Sequence, residues 1–311
     1  MSLSPLGPEL LVHSAFDDTA VRRAHSRGTL VRLAPGRYVR SDVWLPLDPA
    51  EREILRIIAV VSCLRTPVVV SHSSAASLWS LPRLGSPTSR VHVIDQRLDS
   101  ATGGTFVLRH AAVLAATELE RVHGTTVTSP VRTAVDLALS ASHRQAVTAL
   151  DHGLRTGLFT PADLAAGLQA HPAIQRRRKA QRALDFADGR ANRPGESLSR
   201  VVMAEHGFHA PELQHPFRRE TGERAEVDFW WPSVGVVGEF DGEVKYRDRE
   251  MRGGRSIEQV VIDEKNRENW IRALPEVHGF VRWSWQDATA PGRLARLLTD
   301  AGVPAARAST N

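Results

Sequence analysis

The stretch Arg224–Tyr246, RAEVDFWWPSVGVVGEFDGEVKY, constrains the fold of this chain more than any other. Val227, Phe229 and Trp231 alternate with other residues, Pro232 and Ser233 mark a turn, and Val234, Val236 and Val237 lead into Glu239, Asp241 and Lys245. Apolar alternation on both sides of a turn predicts a β-hairpin, here with its charge gathered at one end. Trp230 and Trp231 point to opposite faces of the strand, so one of them must be exposed or covered by a helix. A hard cation such as Mg²⁺ prefers oxygen ligands. Asp228 and Glu239 are therefore candidates to hold Mg²⁺ or Mn²⁺ beside a phosphate, with a nearby lysine stabilising developing negative charge. The competing reading is that they are solvated turn residues following two core strands.

With 311 residues the chain is long enough for two domains, each with its own core. Hydrophobic residues at 42% and charged residues at 24% match a soluble globular protein and exclude a fibrous repeat or wholesale disorder. The single Cys63 forms no internal disulfide and reads as a small core residue in a reducing compartment. The longest apolar run, IIAVVSCL, is too short to span a bilayer, and no cationic, apolar leader opens the chain, so a cytoplasmic protein without a membrane partner is expected. A net charge of +5 permits contact with a polyanion without establishing it.

Residues 8–45 read as two helices followed by a hairpin, the outline of a winged helix-turn-helix. Asp18 is the expected N-cap of the second helix, Ala20, Val21 and Ala24 form its inward stripe, and Gly28 stops it. TLVRLAPGRYVR then suits a two-stranded wing turning at Pro35 and Gly36. In that arrangement Arg22, Arg23, His25 and Arg27 meet phosphates or guanine edges and Arg37 touches backbone from the wing, unless they form an ordinary polar helix face. Arg176, Arg177, Arg178, Lys179 and Arg182 form a second basic cluster, either a solvated face or a phosphate-tracking patch.

Between these regions the pattern predicts a long helix from Pro49, a short one in SHSSAASLWSLP, strands at VHVID and TFVLRH, and three helices from Val127 to His171. His72, His92, His110 and His123 lack cysteine partners and helical His-x-x-x-His spacing, so they are read as structural or surface residues and not zinc ligands. Beyond a Gly-, Pro- and Asn-rich boundary near ADGRANRPGES, the order is α-β-β-β-α-β-α, with a mixed sheet because hairpins join the early strands and a helix crosses to the last. Trp283 and Trp285 are assigned to that last strand as core residues. Glu264, Lys265 and Arg267 are assigned to a solvated surface of the long helix.

This order, with E-S-x-x-R at Glu196, Ser197 and Arg200, P-E-L-Q at Pro211–Gln214, Asp228–Pro232 and Glu239–Gly242, resembles the PD-(D/E)XK nuclease superfamily, in particular domains related to very-short-patch-repair endonucleases. The amino-terminal part resembles AbiEi-type antitoxins of abortive-infection systems, through Gly28–Val39, Ser71–Pro82 and Val127–Ala138. The resemblances imply an α/β (α+β overall) protein with a winged-helix domain at 1–48, an AbiEi-antitoxin-like α/β region at 49–170, a basic linker helix and boundary at 171–194, and an endonuclease-like domain at 195–304. They imply a catalytic set of Glu196, Asp228, Glu239, Asp241 and Lys245, with Asp228 and Glu239 on Mg²⁺ or Mn²⁺. The superfamily lysine two positions after Glu239 is replaced by Asp241, so its role falls to Lys245. Two functions follow. One is a DNA-binding toxin-antitoxin or phage-defence protein with a metal-dependent endonuclease domain. The other is an antitoxin and transcriptional autorepressor, with DNA and a cognate toxin as partners, whose nuclease fold is inactive.

Overall fold

The computed structural model describes residues 6–14, 18–86, 89–173, 175–219, 222–242 and 257–305. The chain divides into two units, Met1–Ala149 with Gly157–Phe186, and Leu150–Thr156 with Ala187–Asn311.

The first unit opens on a three-stranded antiparallel sheet. Its strands are β1 (Leu11–His13), β2 (Leu30–Ala34) and β3 (Arg37–Arg40), in the order β1-β3-β2, with helix α1 (Thr19–Ser26) between β1 and β2. Asp18 caps α1 by accepting from the amides of Ala20 and Val21 at 3.1 Å each, and Gly28 beyond its end takes φ +76°, as expected of a glycine stop. The helix expected ahead of α1 is absent among the described residues. Pro8–Leu10 makes one 3₁₀ turn, and Leu11–His13 then pairs with Val39–Arg37, because that apolar run satisfies its backbone on an available sheet edge. After α2 (Ser41–Trp44), helix α3 (Pro49–Val61) begins at a capping box between Asp48 and Glu51 and buries Ile54, Leu55, Ile57 and Ile58.

A six-stranded mixed sheet follows, in the order β6-β7-β5-β4-β9-β8. Its elements are β4 (Val69–Val70), α4 (His72–Leu78), β5 (Val91–Ile94), β6 (Thr102–Gly103), β7 (Val107–His110), β8 (Leu119–Val122) and β9 (Thr125–Thr128). Helices α5 (Pro130–Ser140), α6 (His143–Arg155), α7 (Pro161–Ala170) and α8 (Arg177–Phe186) complete the order of this region. Val70, Val91, Val93, Val107 and Val127 join α3 and the small sheet in one core. On α4, the Ser74 hydroxyl accepts from the His92 amide at 2.9 Å, tying the helix to β5. Thr160 and Asp163 form the capping box of α7. Two members of the basic cluster on α8 are tied down locally, Arg177 to the His171 carbonyl and Lys179 to the Ala141 carbonyl.

Asp95, at the end of β5, shows what ion pairing contributes here. It is 2% exposed and accepts from Arg97 at 2.7 and 2.9 Å and from Arg109 at 3.1 Å. The Arg97 hydrogen bond, opposed by burial, holds its carboxyl at about 2. A folded-state value below the ordinary 3.8 means stability present above that pH and lost as pH falls from about 4 to about 2. Acid titration followed by circular dichroism should show this loss in the parent protein, whereas Asp95→Asn should start less stable and lose less across that window, the other lowered carboxylates such as Asp136 and Asp287 still contributing.

The second unit contains α9 (Pro194–Glu205), β10 (Glu212–Arg218), β11 (Arg224–Trp231), β12 (Val236–Asp241), α10 (Ile257–Arg272), β13 (Gly279–Ser284), α11 (Trp285–Thr289) and α12 (Arg293–Asp300). The sheet runs β10-β11-β12-β13, antiparallel except for the parallel β12–β13 pair, as the hairpin-then-crossover pattern requires. Both faces are covered, so Trp230 and Trp231 are buried together at 4% and 1% exposure. Trp230 packs with Ile271 and Trp270 of α10. On β13 and β11, Trp283 lies beside Phe229 and donates its indole N–H to Ser199 of α9 at 2.8 Å. Trp285 is not in the last strand. Ser284 forms a capping box with Asp287, which ends β13 and starts α11 with Trp285 37% exposed.

Candidate functional site

The acidic residues of the second unit fall into two groups. Pro194 opens α9 and puts Glu196 in its first turn, 2% exposed. There Glu196 Oε2 accepts from the Asn192 amide at 2.8 Å and from Gln214 Nε2 at 2.9 Å. The same Gln214 nitrogen lies 3.4 Å from Asp228 Oδ1, while Asp228 Oδ2 accepts from the Phe240 amide at 2.9 Å. Gln214 adopts φ +51°, a left-handed backbone that side chains rarely take. The alternation of β11 breaks beside it, since Val227 and Trp230, three residues apart, join one core cluster with Ile271.

Glu239 heads the second group. Its two oxygens lie 2.7 and 2.9 Å from Arg267 Nη2 on α10, and Oε2 lies 3.2 Å from Arg282 Nη2 on β13. Arg282 also reaches Asp241 at 3.2 Å, Glu268 at 3.2 Å and Glu264 at 3.6 Å. Burial works against the charge on Arg282, and Glu239 and the other carboxylates outweigh it and raise its pKa. The expectation of a purely solvated charged face on α10 is thus corrected for Glu264 and Arg267, which face the sheet, while Lys265 is exposed. Arg200 of the E-S-x-x-R pattern bonds Asp151 at 2.7 Å, an ion pair whose carboxylate is fully buried. Lys245 lies outside the described residues.

In the first unit Arg22 and Arg23 are exposed on α1, and Arg27 is exposed at its C-cap. His25 is turned to structural use, with Nδ1 3.0 Å from the Leu30 carbonyl and its ring against Tyr38. Arg37 is engaged within the fold, donating to the Ser62 hydroxyl (2.8 Å), the Ser62 carbonyl (2.7 Å) and the Gly36 carbonyl (3.1 Å). It ties the hairpin to the end of α3 and has little left for a phosphate.

Histidines set aside on sequence do come together. His72 stacks on His110 with ring centroids 3.8 Å apart, and His110 Nε2 lies 3.2 Å from His92 Nδ1. Among the described residues this is the one group of three or more His, Cys, Asp or Glu with ligand atoms mutually within 4.8 Å. Its members come from α4, β5 and β7, so no short sequence motif carries it. The available signal was one histidine in each of two strand candidates, His92 in VHVID and His110 in TFVLRH, and the parallel register sets them two positions apart.

Residues 68–186 match the AbiEi antitoxin C-terminal domain. Two Mycobacterium tuberculosis proteins, "Uncharacterized protein Rv2248" of strain H37Rv and "Uncharacterized protein MT2308" of strain CDC 1551, are each 32% identical over 220 residues, covering 69% of this chain and 74% of theirs. The chain belongs to their family. The crystal structure of the M. tuberculosis RV2827C protein is similar at 16% identity and a TM-score of 0.38, over 68% of this chain and 84% of that one. Among the described residues no helix is long and apolar enough to cross a membrane.

Proposed function

We propose that this protein is an antitoxin-type DNA-binding regulator that acts on DNA near its own reading frame, answers to a cognate toxin, and uses its carboxy-terminal α/β unit as a scaffold. The observation that carries this reading is the AbiEi antitoxin C-terminal domain match at residues 68–186. Exposed Arg22, Arg23 and Arg27 beside the β2–β3 hairpin support a winged-helix-like approach to DNA, and the net charge of +5 favours it. Fluorescence anisotropy on the duplex upstream of the reading frame tests it. The double variant Arg22→Ala/Arg23→Ala should bind about tenfold or more weakly and flatten the salt slope by roughly 0.9 per lost phosphate contact. Equal affinity and slope in variant and parent would overturn the assignment of α1.

A second reading is a metal-dependent endonuclease of the PD-(D/E)XK type, acting through Glu196, Asp228, Glu239, Asp241 and Lys245. The α-β-β-β-α-β order of α9 to β13 and the Glu196–Gln214–Asp228 chain favour it. The side chains as they stand do not fit Mg²⁺. A hard dication needs carboxylate lone pairs, and both oxygens of Glu239 face the Arg267 guanidinium, with Arg282 beside one of them. Supercoiled plasmid incubated with Mg²⁺ or Mn²⁺ should stay intact, and Asp228→Ala should bind DNA like the parent. Nicking by the parent that disappears in Asp228→Ala would put the endonuclease reading in its place.

A further inference from the structure

We propose that His72, His92 and His110 form a binding site for one divalent transition-metal ion, Zn²⁺ in the first instance, with a fourth coordination position open to the adjoining cavity.

Three imidazoles supply the ligand set of a catalytic-type zinc site, in which three protein nitrogens leave one position for water or an anion. Around a tetrahedral ion with Zn–N near 2.0–2.1 Å, neighbouring ligand atoms stand roughly 3.3 Å apart. His110 Nε2 and His92 Nδ1 already stand at 3.2 Å. One atom from each ring lies within 4.8 Å of the others, so the triangle closes once the His72 ring turns out of its stack on His110. The Nδ1 of His72 is 2.9 Å from the Ser71 hydroxyl, which orients the ring and leaves Nε2 for the ion. His72 is held at φ +51° at the start of α4, a conformation that fixes where this ring begins.

A buried carboxylate is placed to offset the charge of a cation. The buried Asp136 acts on both His72 and His110. Its Oδ1 is shared by Arg132 (3.0 Å) and His171 (3.1 Å), whereas Oδ2 has no hydrogen-bond partner among the described residues. A nearby carboxylate oxygen of this kind offsets charge brought in by a metal. The cavity beside the rings, about 510 Å³, is lined by Ser73, Arg83, Leu108 and Leu137 as well as His72, His92 and His110. Ser73 Oγ is buried there without a partner, and Arg83 adds positive charge. The open position therefore suits hydroxide or a small anion better than a fourth side chain.

The test uses the full chain, freed of metal by chelator and dialysis and titrated with Zn²⁺ or Co²⁺ alone. We expect saturation at one ion per chain, visible d–d bands of four-coordinate Co²⁺, and a higher unfolding temperature with Zn²⁺. His92→Gln and His110→Gln should each bind at least about 100-fold more weakly with unchanged circular dichroism. His123→Gln, which alters a ring bonded to the Leu6 carbonyl, should bind like the parent. X-ray absorption of the zinc-loaded parent protein, which depends on no variant, should report three imidazole nitrogens. Absence of saturable binding, equal binding by His92→Gln, or an absorption spectrum without imidazole scattering would each overturn the site.

Discussion

Glu239→Ala is expected to lower the stability of the carboxy-terminal unit by about 3–5 kcal/mol, the usual cost of removing one partner from a buried ion pair. Glu239 is 2% exposed, and the alanine would leave the partly exposed Arg267 and Arg282 without their shared anion. Arg282 would retain Asp241, Glu264 and Glu268, whereas the contact of Arg267 with the Glu226 carbonyl at 2.5 Å replaces only part of what it loses. Urea unfolding followed by tryptophan fluorescence reads the change directly. A loss under about 1 kcal/mol would place the pair in the range of exposed ion pairs and remove its structural role. A double-mutant cycle with Arg267→Ala isolates the coupling. The same experiment bears on the second reading, because it measures how far the oxygens of Glu239 are committed to the two arginines.

Gly195→Ala should cost about 3 kcal/mol, through collision and not through loss of a contact. A Cβ at this position would lie 2.1 Å from two ring carbons of Phe240, a distance no real contact shows. That ring cannot yield easily, since Phe240 is 2% exposed and meets Trp285 edge-on at 5.3 Å. Glycine therefore lets α9 lie close over β12. The displaced helix would also carry Glu196 away from Gln214, so the loss should appear in both melting temperature and local hydrogen exchange. Phe240→Leu combined with Gly195→Ala should recover part of the stability. If the double variant is merely the sum of the singles, the ring is not the obstacle.

The sequence made the second unit legible where its periods were clean. The apolar residues Val227, Phe229 and Trp231 and the run at Val236–Val237 mark β11 and β12, although the strict alternation breaks within β11, and the two adjacent tryptophans left open whether one of them is exposed or covered by a helix. The cap and stop of α1 were equally readable, because Asp18 and Gly28 act within a few residues of themselves. What sequence could not give was convergence at long range. Nothing local reveals that Arg267 and Arg282, 28 and 43 residues away, close on Glu239. Leu11–Val12 looked helical because the sheet edge that captures it is made later in the chain. The histidines were dismissed for lack of a motif, and their meeting depends on β5 and β7 pairing in parallel.

Gln214 stands between Glu196 and Asp228 with a single nitrogen facing both. Such an amide is a neutral spacer: it quiets two anions without competing for a proton. Exchange of that nitrogen for oxygen, as in Gln214→Glu, would set three like charges side by side, a cluster that either takes up a proton or recruits a cation. The boundary between an inert framework and an ion-seeking one therefore runs, in this protein, through one carboxamide.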